Sequence, residues 1–150
     1  MLLIQQKNIL THKKSNMPKR IAIVMGSFHK KEVTEMLEEA RQTASELEAE
    51  IVEEVWVPGA IEKPLALKRL LMRDDIDGAL TLGIIERGST KHGFVMGQSV
   101  TSAIIQLQLE LMKPIGLGIL GPEILPDQVE SRLRPYARAA VEATVKMLKK

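Results

Sequence analysis

Four short apolar runs, RIAIVM at 20–25, IVEEVWV at 51–57, DGALTL at 77–82 and IGLGIL at 115–120, alternate with longer stretches whose apolar residues recur every three or four positions. This alternation restricts the fold more than any other feature of the chain. A strand that is apolar almost throughout is buried on both faces and needs a covering layer above and below it. Strands linked by helices of ten or more residues pair in parallel, through right-handed crossovers. The pattern predicts an α/β fold of three layers, with helices on either side of a four-stranded parallel sheet.

The intervening stretches read as helices in turn. In 31–50, Val33, Met36, Leu37, Ala40, Ala44 and Leu47 form one stripe. The stretch 61–73 carries Pro64 in its first turn, where the N–H has no intrahelical partner and is not missed. A third helix is predicted over about 91–112, ended by Pro114. The last helical region covers about 127–149, with Val129, Leu133, Tyr136, Ala140, Ala143 and Val145 near one face, and Pro135 either breaks or restarts it.

A chain of 150 residues fits one domain and buries roughly two-thirds of its unfolded surface. Lys and Arg number 21 against 19 Asp and Glu, a balance that argues against a dedicated nucleic-acid binder despite the locally basic HKKSNMPKR. With no cysteine, disulfides, thiolate metal sites and thiol nucleophiles are excluded. No apolar run has the length of a membrane span, and MLLIQQKNIL is too short and interrupted to be a signal segment. The cytoplasm is the expected compartment. Residues 1–19 show no sustained period and read as a tail, flexible or adding a strand to a neighbour's sheet edge.

Ligands of open parallel sheets bind beyond the carboxyl ends of the strands, so the informative residues lie in GSFHK, VPGAIEKP, GIIERGSTKH and GPEILPDQ. Gly88 permits close backbone approach, and Ser89, Thr90 and the N–H groups opening the next helix can donate to a phosphate; Ser89 or Thr90 can equally be only an N-cap. His92 is either a proton relay beside that anion or a solvated helix-start histidine. Phe28 can stack on a heterocycle or join the core. Glu62 suits a helix start electrostatically and can also accept from substrate hydroxyls. Arg132, Arg134 and Arg138 fall within two turns of the last helix, where one can close a bidentate fork on phosphate. There is neither a Walker A nor a GxGxxG pattern, and His12 and His29 have no partners at metal-ligand spacing, so no metal site is expected.

VPGAIEKPLALKRL and LGIIERGSTKH together resemble two ordered segments of the 6,7-dimethyl-8-ribityllumazine synthase family, PGA-aromatic-E-x-P-LA and LG-x-x-x-RG-x-T-x-H. The likeness runs from about 20 to 148, and KPIGLGILGPEILPDQVESRLRPYARAAVEATVKM is similar to archaeal members. The resemblance implies a flavodoxin-like sheet and a homo-oligomer, a pentamer sometimes assembled into an icosahedral shell, with sites between adjacent subunits. It implies condensation of 5-amino-6-ribitylamino-uracil with 3,4-dihydroxy-2-butanone 4-phosphate, losing phosphate and water, without cofactor or metal.

By the same resemblance Phe28 stacks on the pyrimidinedione, and Ala60, Ile61 and Glu62 hold the ribityl chain. Ile84 and Ile85 also border the substrate, Gly88, Ser89 and Thr90 receive the phosphate, and His92 relays protons. An arginine fork would stabilise the departing phosphate, with Arg138 favoured over Arg132. His29 stands where the family usually has Asn, and Leu117 where many members offer an aromatic to the neighbouring subunit's substrate. Two other functions fit less well: an archaeal-type riboflavin synthase, for which a phosphate-binding GSTKH has no use, and a non-catalytic flavin- or lumazine-binding shell protein.

Overall fold

The computed structural model describes residues 17–149. The expectations for the tail fall almost wholly on residues outside that range; Lys19, assigned to the tail from sequence, opens the first strand. In chain order the elements are β1 (Lys19–Gly26), α1 (Lys30–Glu46), β2 (Ala49–Val57), α2 (Lys63–Leu71), β3 (Gly78–Glu86), α3 (His92–Leu111), β4 (Ile115–Ile124) and α4 (Leu133–Leu148). Short 3-10 turns at Ala60–Glu62, Pro126–Gln128 and Glu130–Arg132 precede α2 and α4. No helix among the described residues is long and apolar enough to cross a membrane.

The four strands form one parallel sheet in the order β2-β1-β3-β4, a flavodoxin-like arrangement. Successive residues of a strand face opposite sides, and the core divides accordingly. Ile21, Ile23, Met25, Leu80, Leu82 and Leu120 pack with Val33, Met36, Ala40, Leu133, Ala137 and Val141 of α1 and α4. On the other face Ala22, Val24, Ala79, Ile85, Ile115 and Ile119 meet Leu67, Leu71, Val100 and Ile104 of α2 and α3. The few buried hydroxyls are bonded: Thr81 Oγ1 donates to Val24 O at 2.9 Å, and Thr144 Oγ1 to Ala140 O at 2.8 Å.

Two strands run further than the sequence pattern implied. β3 continues through Gly83-Ile84-Ile85-Glu86, and β4 through Gly121 and Pro122 to Ile124, with a register shift between Ile84 and Glu86. Reading Gly83 as the exit of the strand was the error, because a glycine inside a strand also marks a close approach by another group. Helix α4 begins only at Leu133, so Pro135 sits in its first turn, where it is tolerated.

Candidate active site

From β1 the chain winds through α1 to β2 on one side, then crosses by α2 to β3 on the other. The segments leaving β1 and β3 therefore diverge, and a crevice opens between their carboxyl ends. The structure has there a cleft of about 490 Å³. The β1–β3 ladder ends at the Met25–Leu82 pair, so the β3 main chain beyond Leu82 has no β1 partner on that side and borders the cleft. Ile84 and Ile85 line it, but their side chains are buried in the cores of opposite faces. What they offer a ligand is backbone.

One wall comes from the segment after β1. His29 takes a left-handed conformation, φ 57°, immediately before α1, and Phe28 is left projecting outward, 69% exposed. An exposed phenylalanine at a cleft wall is available to a ring in a way that a core residue is not. His29 Nε2 lies 3.4 Å from Glu86 Oε1, tying this segment to the end of β3. The turn after β2 supplies Gly59, Ala60, Ile61 and Glu62. Glu62 Oε2 accepts the Gly59 N–H at 3.0 Å, which fixes the carboxylate.

The opposite wall is the turn between β3 and α3. Arg87 anchors it, donating its N–H to Ile124 O at 3.0 Å and placing Nε 3.3 Å from Glu123 Oε2. Gly88, Ser89 and Thr90 follow, and a Cβ on Gly88 would meet no heavy atom within 4 Å, so this backbone is uncovered on the cleft side. Thr90 Oγ1 accepts the His92 N–H at 3.3 Å, a capping role; Ser89 has no side-chain partner among the described residues. Gly93 brings the first turn of α3 close to Glu86 O, 2.8 Å from the position a Cβ would take, which sets exposed His92 at the cleft rim. Lys91 Nζ lies over the Phe94 ring, 5.6 Å from its centroid.

Ten of the residues singled out from sequence thus come together: Phe28, Ala60, Ile61, Glu62, Ile84, Ile85, Gly88, Ser89, Thr90 and His92. Leu117, Arg132 and Arg138 do not line this cleft. Leu117 is a half-exposed residue of β4. Arg138, the favoured phosphate fork, is engaged elsewhere: Nε donates to Glu39 Oε1 at 3.1 Å, Nη2 to Glu46 Oε2 at 2.9 Å, and Nη1 lies 3.5 Å from Glu142 Oε1. Glu39 and Glu46, with the carboxylates around Arg134, join α1 to α4. Arg132 is exposed and donates to Gln128 O at 2.8 Å.

Sequence reasoning missed Lys63. It sits in the cleft lining, 1% exposed, with Nζ donating to Leu82 O at 2.9 Å. Burial lowers its pKa to about 7. The glycines closing β1 and opening the extension of β3 make room for it, a relation that exists only in the fold: on Gly83 a Cβ would collide with the lysine amine.

A flavodoxin-like sheet with an exposed aromatic, a fixed carboxylate and an uncovered glycine turn around one crevice at its strand ends places the chain among α/β proteins of the doubly wound class. The profile of the family described as 6,7-dimethyl-8-ribityllumazine synthase matches residues 18–150. A protein named 6,7-dimethyl-8-ribityllumazine synthase from Methanopyrus kandleri is 43% identical over 132 residues, covering 87% of this chain and 92% of its own. Proteins of the same name from Picrophilus torridus, 42% identical over 130 residues, and Methanoculleus marisnigri, 39% identical over 132, cover 87% of this chain and 95% and 96% of theirs. The chain belongs to the 6,7-dimethyl-8-ribityllumazine synthase family.

Proposed function

We propose that the chain is a lumazine synthase, condensing 5-amino-6-ribitylamino-uracil with 3,4-dihydroxy-2-butanone 4-phosphate and releasing phosphate and water. The observation that carries this reading is the meeting, across one crevice, of exposed Phe28, bonded Glu62 and the Gly88–Thr90 turn beside His92. In this proposal Phe28 stacks on the heterocycle while Ala60, Ile61 and Glu62 hold the ribityl chain. The β3 main chain at Ile84 and Ile85 lies beside the ring, and Gly88, Ser89, Thr90 and the α3 N-terminus take the phosphate. His92 moves protons as the imine forms and the phosphate leaves.

No protein nucleophile is needed for an amine to condense with a ketone. Holding the two molecules in reacting geometry supplies much of the acceleration, up to ~7–11 kcal/mol in ideal cases. Arg132 and Leu117, which lie outside the cleft of their own chain, are assigned to a neighbouring subunit's site in a pentamer; cytoplasmic residence belongs to the same proposal. Arg138 is left to its carboxylates on α1 and α4.

The test is to supply both substrates, then each alone, and follow the lumazine chromophore. Product only with both present supports the reading. Formation of riboflavin from lumazine alone would instead indicate the synthase of the next step, and binding without turnover a carrier or shell protein.

A further inference from the structure

Lys63 opens α2 with its side chain laid across the two glycines at the end of the β1–β3 seam. Its Cε is 3.3 Å from where a Cβ on Gly26 would stand, and its Nζ occupies the place a Cβ on Gly83 would take. Glycine at both positions is what admits the amine. Its one side-chain hydrogen bond among the described residues goes to Leu82 O. An ammonium has three N–H donors and a neutral amine two, so at least one donor has no acceptor among the described residues.

The titratable groups around the cleft do not supply one. Glu62, on the turn before α2, is bonded to the Gly59 N–H; Glu86 at the end of β3 faces His29 from the β1 turn; His92 from α3 is exposed at the rim. None of them pairs with Lys63. A buried donor without an acceptor is costly, and a ligand bringing an acceptor into the cleft would relieve that cost.

We infer that Lys63 Nζ is the recognition donor for a carbonyl oxygen of the heterocyclic substrate, reached through the gap that Gly26 and Gly83 leave in the cleft floor. The inference rests on the lumazine synthase reading. Phe28 lines the same cleft, so a pyrimidinedione stacked on it turns a polar edge toward the sheet ends. Stacking accepts any flat ring, whereas a buried donor rejects rings lacking the matching acceptor. An accepted hydrogen bond favours the charged amine, so heterocycle binding takes up a proton. In the same reading the butanone phosphate is held by the Gly88–Thr90 turn and not by this contact.

The experiment compares wild type with Lys63→Met, which keeps an unbranched side chain, one atom shorter, and removes the amine. The expected result is a KM for the amino-uracil raised ~10- to 100-fold, as for a lost charge-assisted bond, with the KM for the butanone phosphate within about twofold. Calorimetry of 6,7-dimethyl-8-ribityllumazine binding near pH 8, in buffers of differing ionisation enthalpy, should show up to about one more proton taken up per site by wild type than by the variant. Gly83→Ala, which displaces the amine, should reproduce the KM split and decides the matter if Lys63→Met fails to assemble. Equal proton uptake, or both KM values moving together, overturns the role of Lys63. Wild type failing to turn over both substrates would sink the functional reading itself, a separate result.

Discussion

Lys63 Nζ fills the space that a side chain on Gly83 would need, so a lysine of α2 and a glycine of β3 are fitted to each other. Desolvation lowers the lysine pKa from 10.5 to about 7. Within that window the unfolded chain binds a proton that the folded chain has released, so stability rises with pH. Below about pH 7 both states are protonated and the cost of burial is present in full; above about pH 10.5 neither is. Denaturant midpoints of wild type should therefore climb relative to those of Lys63→Met between about pH 7 and 10, with a slope of at most ~1.4 kcal/mol per pH unit. Parallel curves would mean that Lys63 does not release its proton on folding.

Phe28 is mostly exposed, so its removal empties no core. Phe28→Ala should leave the thermal midpoint within a degree or two, about the range of a surface substitution. It should raise the KM for the amino-uracil ~3- to 10-fold through lost stacking. Steady-state kinetics with each substrate varied checks this; a destabilised variant with unchanged KM would make Phe28 a packing residue.

His92 is the imidazole at the start of α3, beside the Gly88–Thr90 turn. His92→Ala should lower kcat ~10- to 1000-fold, the range of general acid-base contributions. Native mass measurement should find assembly intact. Unchanged turnover removes His92 from the chemistry.

The strand-helix alternation was enough to give the layers and sheet, because near-continuous apolar runs such as RIAIVM leave no other way to bury both faces. Motif spacing also located most cleft residues, since turns at strand ends are local in sequence. Lys63 was not legible: a charged residue between Glu62 and Pro64 reads as solvated, and only the side-by-side ends of β1 and β3 bring Gly26 and Gly83 under it. The ion pairs of Arg138 were not legible for a similar reason. Its carboxylate partners Glu39 and Glu46 lie 99 and 92 residues away in sequence, and periodicity carries no information about such pairs.

That pairing separates the two arginines. Arg132→Ala should raise the KM for the butanone phosphate ~10-fold, as for one lost cationic contact to phosphate, with little change in thermal midpoint. Arg138→Ala should lower the midpoint by loosening α1 from α4 and leave that KM unchanged. Thermal melts and KM values for both variants decide between them, and the reverse pattern would return Arg138 to the phosphate.

The most direct measurement is the stoichiometry of phosphate released to lumazine formed in a single assay with both substrates. One phosphate should appear for each lumazine, and neither when either substrate is withheld. Lumazine consumed with no phosphate released, or tight binding of both substrates with no product, would contradict the lumazine synthase reading.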